Sequence, residues 1–215
     1  NKGADPTGMG RWSFITTKGV GDIFVTFITA YRVCLTTAMA AGEKTAYQQQ
    51  HRIWQGKFPN RPNDPRRQFI LDLQLFITKM QELGHDIVLM LDANEDITNR
   101  TGGIYPVSEI GGHDTSFHAE GAQHDGTLVT LMANCHLTDI LAQQHPQDRY
   151  PATYIRGSKR LDFILVSIRL VGTIIRSGLM KFHTFFYGDH KAAYIDMNAK
   201  AVWGQATFED RKSVV

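Results

Sequence analysis

A helical pattern followed directly by a buried strand is the feature of this sequence that most restricts its fold. Between residues 66 and 83, apolar residues recur every three or four positions, which is the spacing of one helix face. Asp64 and Pro65 suit the start of this helix, and Gly84 suits its end. The segment 86–91, DIVLML, is almost entirely apolar, as in a strand that is covered on both faces. A helix, a glycine and a buried strand in this order are typical of an α/β fold.

Strand patterns lie on both sides of this unit. Residues 11–17 and 22–34 are two runs rich in β-branched and aromatic residues, and the short turn between them predicts an antiparallel hairpin. Residues 159–167 and 191–199 predict further strands. The polar, proline-containing stretch 42–64 predicts a loop with one short helix. Strands interleaved with helices indicate a layered α/β architecture.

The charge balance excludes a simple electrostatic argument for nucleic-acid binding. The 215 residues carry 23 basic and 21 acidic side chains, so a polyanion would have to bind through a local basic cluster such as 61–67 or 156–160. Cys34 and Cys135 form neither a disulfide framework nor a metal knuckle, which indicates an intracellular protein of the nucleus or cytoplasm. No apolar run is long enough for a membrane helix. The loop-like start without Met predicts a piece of a longer chain.

Three short segments place carboxylates or a histidine beside apolar strand patterns. Asp92 and Asn94 follow the buried strand two positions apart, and on an extended chain such side chains point to the same side. Asp162 stands within an apolar run, where a buried carboxylate needs a partner. Asp189 and His190 come just before the last strand pattern. Together these residue types fit metal-assisted attack of water on a phosphate.

Each of these segments also has an ordinary structural explanation. Asp-x-Asn after a strand is common in turns and helix caps, Asp162 could point outward to solvent, and an Asp-His pair after glycine could lie on a surface loop. Glu95 and Asp96 are expected to be solvated or to cap the following segment. Four further histidines are expected to be loop residues: His113, His118, His124 and His136. The residues taken one by one leave these alternatives open.

Four segments taken in order, FITAYR, LMLDANED, RLDFILVS and YGDHKAAYID, resemble the motifs of the endonuclease/exonuclease/phosphatase superfamily. This superfamily includes abasic-site endonucleases, retrotransposon endonuclease domains, inositol-polyphosphate phosphatases and neutral sphingomyelinases. The resemblance covers roughly residues 14–197 and implies a four-layer α/β sandwich of two mostly antiparallel sheets flanked by helices. The superfamily's metal-binding Glu lies upstream of these motifs, and no Glu precedes Tyr31. Residues 1–215 are therefore expected to be a single partial domain, its C-terminal two-thirds, incomplete at the N-terminus.

The resemblance also implies a catalytic role for five motif residues. His190 would contact the scissile phosphate, and Asp162 would pair with its ring and fix the tautomer. Asp92 would orient or deprotonate the attacking water, and Asn94 would donate a hydrogen bond to a phosphate oxygen. Tyr31 would donate its phenol to the phosphate.

A divalent metal is implied at the same place. Asp189 would lie at the metal site, with Asp92 and Asn94 as further oxygen ligands, and hard oxygen ligands favour Mg²⁺ or Mn²⁺. The sequence departs from the usual motifs at two positions. Leu91 stands where the superfamily usually has Gly, and Gly188 stands where it usually has Ser. Both departures keep the neighbouring residues that the motifs need for chemistry, Asp92 and Asp189.

DNA is the substrate that the resemblance favours, because the signatures of the phosphoinositide and sphingomyelinase branches are not seen. Arg156, Lys159 and Arg160 lie just before Asp162 and would contact nucleic-acid phosphates, with a solvated basic turn as the alternative. The stretch Gln48–Gln50 and the long variable loops favour an endonuclease domain of a mobile element. Two other functions stay open: a catalytically inactive remnant or partner-binding domain of the same fold, and a phosphomonoesterase acting on inositol polyphosphates.

Overall fold

A computed structural model describes residues 1–34, 42, 44–60, 64–97, 126–146, 150–184 and 187–204. The elements of these residues are, in chain order, β1 (Lys2–Ala4), β2 (Trp12–Lys18), β3 (Phe24–Tyr31), α1 (Ala46–Lys57), α2 (Pro65–Glu82), β4 (His85–Asp92), α3 (Leu128–Asn134), β5 (Leu137–Asp139), α4 (Ile140–Gln144), β6 (Asp162–Ser167), α5 (Ile168–Val171), β7 (Ile174–Leu179), β8 (Ala193–Met197) and α6 (Ala199–Trp203). They form one six-stranded sheet, one two-stranded sheet and the helices around them. The predicted two-sheet α/β architecture is thereby confirmed.

The large sheet has the strand order β1-β2-β3-β4-β6-β5. Strands β3 and β4 run parallel, and the other neighbours are antiparallel, including the predicted β2–β3 hairpin. The register pairs Tyr31 with Asp92 across β3 and β4, and it pairs Asp92 with Asp162 across β4 and β6. Three residues from three separate sequence motifs therefore lie in one row across the end of the sheet.

Helix α2 confirms the prediction from its apolar spacing. The Asp64 carboxylate accepts a hydrogen bond from the Arg66 backbone N–H at 2.9 Å, which caps the helix start, and Pro65 occupies the first turn, where no N–H is needed. Gly84 follows the helix with a φ of 82°, a backbone conformation that glycine adopts without strain. Four of the buried side chains of the helix belong to the core cluster on one face of the large sheet: Phe69, Ile70, Leu73 and Ile77.

The apolar run of β4 is explained by cover on both faces. Its Ile87, Leu89 and Leu91 pack in the cluster that contains α2 and α3, whereas Val88 packs in a second cluster on the opposite face. That second cluster includes residues of the small β7–β8 sheet, among them Ile174 and Ile195. Strand β4 is therefore fixed between a helical layer and a second sheet.

The segment 42–64 contains more helix than its composition predicts. Helix α1 occupies 12 of these residues, with Thr45 accepting a hydrogen bond from the Gln48 backbone N–H at 3.3 Å. Gln50 and Trp54 are buried, so tertiary packing of a few side chains stabilises a helix that is polar on average. Among the residues that the structure describes, no helix combines the length and apolarity needed to cross a membrane.

Candidate active site

His190 lies between two carboxylates at the end of the large sheet. Its Nδ1 is 2.9 Å from Asp162 Oδ2, and its Nε2 is 3.9 Å from Asp92 Oδ2. All three side chains are partly buried, with 29% of His190, 19% of Asp92 and 16% of Asp162 exposed. The three predicted residues therefore form one cluster that is open to a ligand.

A short paired segment holds the histidine beside β6. Segment 153–155 is hydrogen-bonded to segment 189–191 through two backbone bonds of 2.8 Å. The hydroxyl of Thr153, which is fully buried, accepts hydrogen bonds from the backbone N–H of Leu161 at 2.8 Å and of Asp162 at 3.2 Å. The start of β6 and the loop that carries the histidine are thus fixed to the same few residues.

The cluster shifts the proton affinities of its members. Burial and, after it, the like charge of Asp162 together raise the pKa of Asp92 to about 6, against the lowering effect of His190. For His190, burial lowers the pKa, but the hydrogen bond and charge of Asp162, with the charge of Asp92, outweigh it, so the pKa is raised. The arrangement favours an imidazolium paired with carboxylate near neutral pH.

Tyr31 and Asn94 lie beside Asp92, and both interact with Cys34. Burial, then the Cys34 thiol, then the charge of Asp92, raise the pKa of Tyr31 to about 12, which keeps its phenol protonated. Cys34 Sγ donates to Asn94 Oδ1 at 3.0 Å, and Asn94 Nδ2 donates to the Arg32 carbonyl at 2.7 Å. The side chain of Asn94 thus holds the loop after β3 to the loop after β4.

The sequence argument that placed Asp92 and Asn94 on one side of an extended chain is wrong. Strand β4 ends at Asp92, and Asn94 has a φ of 46°, which is left-handed rather than extended backbone. Its predicted contact with a phosphate or a metal stays a prediction. A hydrogen bond to phosphate would use its Nδ2, which donates to the Arg32 carbonyl, and a metal contact would use its Oδ1, which accepts from Cys34.

A shared ion fits the described residues best between Asp92, Asp162 and His190, whose ligand atoms all lie within 4.8 Å of one another. Two carboxylates supply the hard oxygen atoms that suit Mg²⁺ or Mn²⁺. Asp189 is exposed and lies outside this group, so its predicted place as a metal ligand stays a prediction. The donor set is thus compatible with a divalent cation.

Arg160 corrects one prediction, because it is buried and cannot reach a nucleic-acid phosphate. Its Nη1 and Nη2 each donate to Asp139 at 2.8 Å, and its guanidinium lies 4.5 Å from the ring centre of Phe163. This side chain stabilises the fold. Arg156 and Lys159 are exposed, and their contact with nucleic acid stays a prediction.

Two other expectations have different outcomes. Glu95 forms an ion pair with Arg32 and accepts a hydrogen bond from the Leu128 backbone N–H at 3.3 Å, so it is more than a solvated loop residue. His136 is an exposed residue just after α3, as expected, with a φ of 49°. The other three histidines of that prediction lie outside the described residues: His113, His118 and His124.

Sequence reasoning missed three residues that contact the site loops: Arg32, Cys34 and Arg66. Each contacts a segment that is distant in sequence. No periodicity or spacing predicts such contacts. The only usable signal was the short distance of Cys34 from Tyr31 along the chain.

Comparison with known proteins identifies the fold. No family model matches the sequence, and no curated protein matches it. The APE2 catalytic domain from Xenopus laevis matches with a TM-score of 0.55 and 16% identity, over 88% of this chain and 55% of that chain. The 3′ phosphatase NExo from Neisseria, bound to a product DNA hairpin, matches with a TM-score of 0.52 and 17% identity, over 92% and 69% of the two chains.

The chain spans about half the length of the Xenopus catalytic domain. At these identities the similarity shows the fold alone. It confirms the resemblance drawn from the four motifs at that level. The chain shares the two-sheet α/β fold of the Xenopus APE2 catalytic domain and of NExo from Neisseria.

Proposed function

We propose that this chain is part of a metal-dependent phosphodiester hydrolase that cleaves DNA. The observation that carries the proposal is His190 between Asp92 and Asp162, at the point where the row of Tyr31, Asp92 and Asp162 ends the sheet. A histidine between two carboxylates, with a phenol nearby, combines a proton acceptor with donors for phosphate oxygens. These are the groups needed for attack of water on a phosphodiester.

The residues divide the chemistry between them. Asp92, with a pKa of about 6, is largely ionised at neutral pH and still basic enough to accept a proton from water. His190, kept protonated by Asp162, donates to a phosphate oxygen and stabilises the charge that develops there. Tyr31 keeps its proton and can donate in the same way.

The proposed cofactor is Mg²⁺ or Mn²⁺. The motifs assign the cation to Asp92, Asn94 and Asp189, whereas the ligand atoms that lie within 4.8 Å of one another belong to Asp92, Asp162 and His190, so Asp92 is the ligand common to both sets. When bound, the cation supplies positive charge that neutralises the phosphate and polarises its P–O bond. The rival function is that of a catalytically inactive remnant or a partner-binding domain of the same fold.

Nucleic acid as the substrate is supported by two observations. Solved structures of similar fold include an APE2 catalytic domain and a 3′ phosphatase bound to a DNA hairpin. Arg156 and Lys159 are exposed in the turn before β6, which begins at Asp162. Origin from a mobile element has less support from the structure than from the sequence, because Gln48–Gln50 belong to helix α1 rather than to an inserted loop.

The test is a cleavage assay on this chain and on any longer natural form of it. Supercoiled plasmid, an abasic-site duplex and an inositol polyphosphate are each incubated with Mg²⁺, with Mn²⁺ and with a chelator. We expect metal-dependent cleavage of DNA that His190→Asn abolishes. Cleavage of unmodified plasmid would support the mobile-element type, and preference for the abasic duplex would support the repair type.

Two results would contradict the proposal. Phosphate release from the inositol polyphosphate without DNA cleavage would identify a phosphomonoesterase. Turnover of none of the substrates by the longer form, together with no Mg²⁺ or Mn²⁺ binding by calorimetry, would identify a non-catalytic domain.

A further inference from the structure

Arg66, in the first turn of helix α2, joins the two loops that carry the site residues. Its Nη1 donates to the carbonyl of Val33, and its Nη2 donates to the carbonyl of Asn94 at 2.9 Å. Val33 lies in the loop after β3, two residues beyond Tyr31, and Asn94 lies in the loop after β4, two residues beyond Asp92. One guanidinium therefore connects the loops that follow the two parallel strands, β3 and β4.

A second arginine fixes the place of the first. Arg32 Nε donates to the Arg66 carbonyl at 3.1 Å, and Arg32 Nη1 pairs with Glu95. Its Nη2 donates to the Gly126 carbonyl at 2.8 Å, and 6% of its side chain is exposed. The start of α2 is thus hydrogen-bonded to both site loops, and the guanidinium of Arg66 has little freedom to leave them.

The chemistry of these contacts requires arginine. The partners are two backbone carbonyls on different loops, and the planar guanidinium presents two N–H groups in a fixed fork that reaches both. A lysine ammonium is a point charge on a flexible stem, and it would serve one carbonyl at a time. Replacement of Arg66 by lysine keeps the charge and removes the bridge.

We propose that Arg66 is a positioning residue that fixes Asn94 beside Tyr31 and Asp92, by holding the loops after β3 and β4 together beyond the end of their ladder. This inference rests on the proposed function for its catalytic consequence. Its geometric part is independent of activity, because the same two loops are also joined by the bond between Cys34 Sγ and Asn94 Oδ1. The Cys34 thiol therefore reports whether the bridge is intact.

The experiment measures thiol reactivity and kinetics in Arg66→Lys and Arg66→Gln. In the native protein, an exposed Cys34 reacts with an aromatic disulfide reagent, and the buried Cys135 serves as an internal test of folding because it reacts on unfolding. Loss of the bridge should free Cys34 from Asn94 and raise its modification rate by about fivefold, with Cys135 still protected. The matched control is Arg176→Lys, an exposed arginine paired with Asp196 in the small sheet.

The kinetic arm uses DNA cleavage at saturating metal. A misplacement of reacting groups by about 1 Å lowers the rate of the chemical step by about 10²-fold, so kcat should fall by about 10- to 100-fold. KM should change by less than about threefold, since no substrate contact is removed. Arg176→Lys should match the wild type in both arms.

The outcomes separate this inference from the proposed function. A faster Cys34 reaction in the Arg66 variants, with no turnover and no metal binding by the wild-type chain or its longer form, would support the bridge and contradict the proposed hydrolase. The inference would be overturned if the Cys34 modification rate and kcat of Arg66→Lys both stayed within about twofold of the wild-type values. Exposure of Cys135 in both Arg66 variants would also overturn it, because Arg66 would then be needed for the fold itself.

Discussion

Two carboxylate–cation pairs beside strand β6 have similar geometry and different surroundings. Asp162 and His190 approach to 2.9 Å, and Asp139 and Arg160 approach to 2.8 Å. The first pair is partly exposed, whereas 1% of the Arg160 side chain and 3% of the Asp139 side chain are exposed. An interatomic distance alone therefore does not tell a reactive pair from a structural one.

The neighbours of each pair explain the difference. Arg160 makes two bonds to Asp139 and packs against the rings of Tyr150 and Phe163, so its charge is matched on every side. Asp162 faces a second carboxylate, Asp92, whose ionisation is opposed by burial and by like charge. The charges of Asp139 and Arg160 balance each other, which suits a structural pair. The second carboxylate beside Asp162 and His190 adds a negative charge that can bind a ligand.

The largest expected effect that separates the two pairs is on catalysis. His190→Asn should lower the single-turnover rate of DNA cleavage by about 10²- to 10⁴-fold, because it removes the proton donor to the phosphate. Its unfolding free energy should change by less than about 1 kcal/mol, since the pair is partly exposed. Quench-flow cleavage and urea unfolding measure the two quantities, and a cleavage rate above about a tenth of wild type would refute the role.

The reverse pattern is expected for the buried pair. Arg160→Met leaves Asp139 charged and buried without its partner, so the unfolding free energy should fall by about 3–5 kcal/mol. Urea unfolding measures this loss. The double variant Arg160→Met with Asp139→Asn should recover part of it. A loss below about 1 kcal/mol would show that the buried pair contributes as little as a surface pair.

A smaller effect is expected on the pH dependence of stability. The pKa of Asp92 is raised from 3.8 to about 6 in the folded chain, so its ionisation opposes folding as the pH rises through this range. Asp92→Asn should therefore stabilise the fold by about 1 kcal/mol above pH 7, allowing for screening by solvent, while it abolishes cleavage.

Thermal unfolding of wild type and Asp92→Asn at pH 3 and pH 8 measures this difference. At pH 3 both the folded and the unfolded carboxyl are protonated, so the gain should vanish. Asp139→Asn, which breaks the buried pair, should instead destabilise the chain at pH 8. A gain for Asp92→Asn that is equal at both pH values would contradict the charge-based explanation.

The smallest expected effect concerns the exposed basic turn. Arg156→Ala and Lys159→Ala should each weaken DNA binding by a few-fold and lower the dependence of log K on log salt by about one. Fluorescence anisotropy at several salt concentrations measures both quantities. Arg176→Ala, in the small sheet, is the control, and an unchanged salt slope in the two turn variants would exclude a phosphate contact.

The sequence predicted which residues meet in the candidate site, and it predicted little of what holds them there. Tyr31, Asp92, Asp162 and His190 follow from motif order, because each stands next to an apolar strand pattern that fixes its place along the chain. Their approach in space depends on strand register. The pairing of Asp92 with Asp162 follows from a β4–β6 contact that no local pattern contains.

The failures have related physical causes. Arg156, Lys159 and Arg160 form one basic cluster in sequence, and only the packing against Asp139 decides that the third turns inward. Helix α1 is polar on average, so its stability comes from tertiary contacts of Gln50 and Trp54 rather than from periodicity.

The most direct test of the account is the NMR titration of the His190 imidazole in wild type, Asp162→Asn and Asp139→Asn, with His190→Asn to assign the signal. The central claim is that His190, Asp162 and Asp92 form one coupled unit that the buried pair does not share. We predict a pKa above the ordinary value of 6.5 in wild type, a lower pKa in Asp162→Asn and no change in Asp139→Asn. A wild-type pKa at or below 6.5 that Asp162→Asn leaves unchanged would contradict the account.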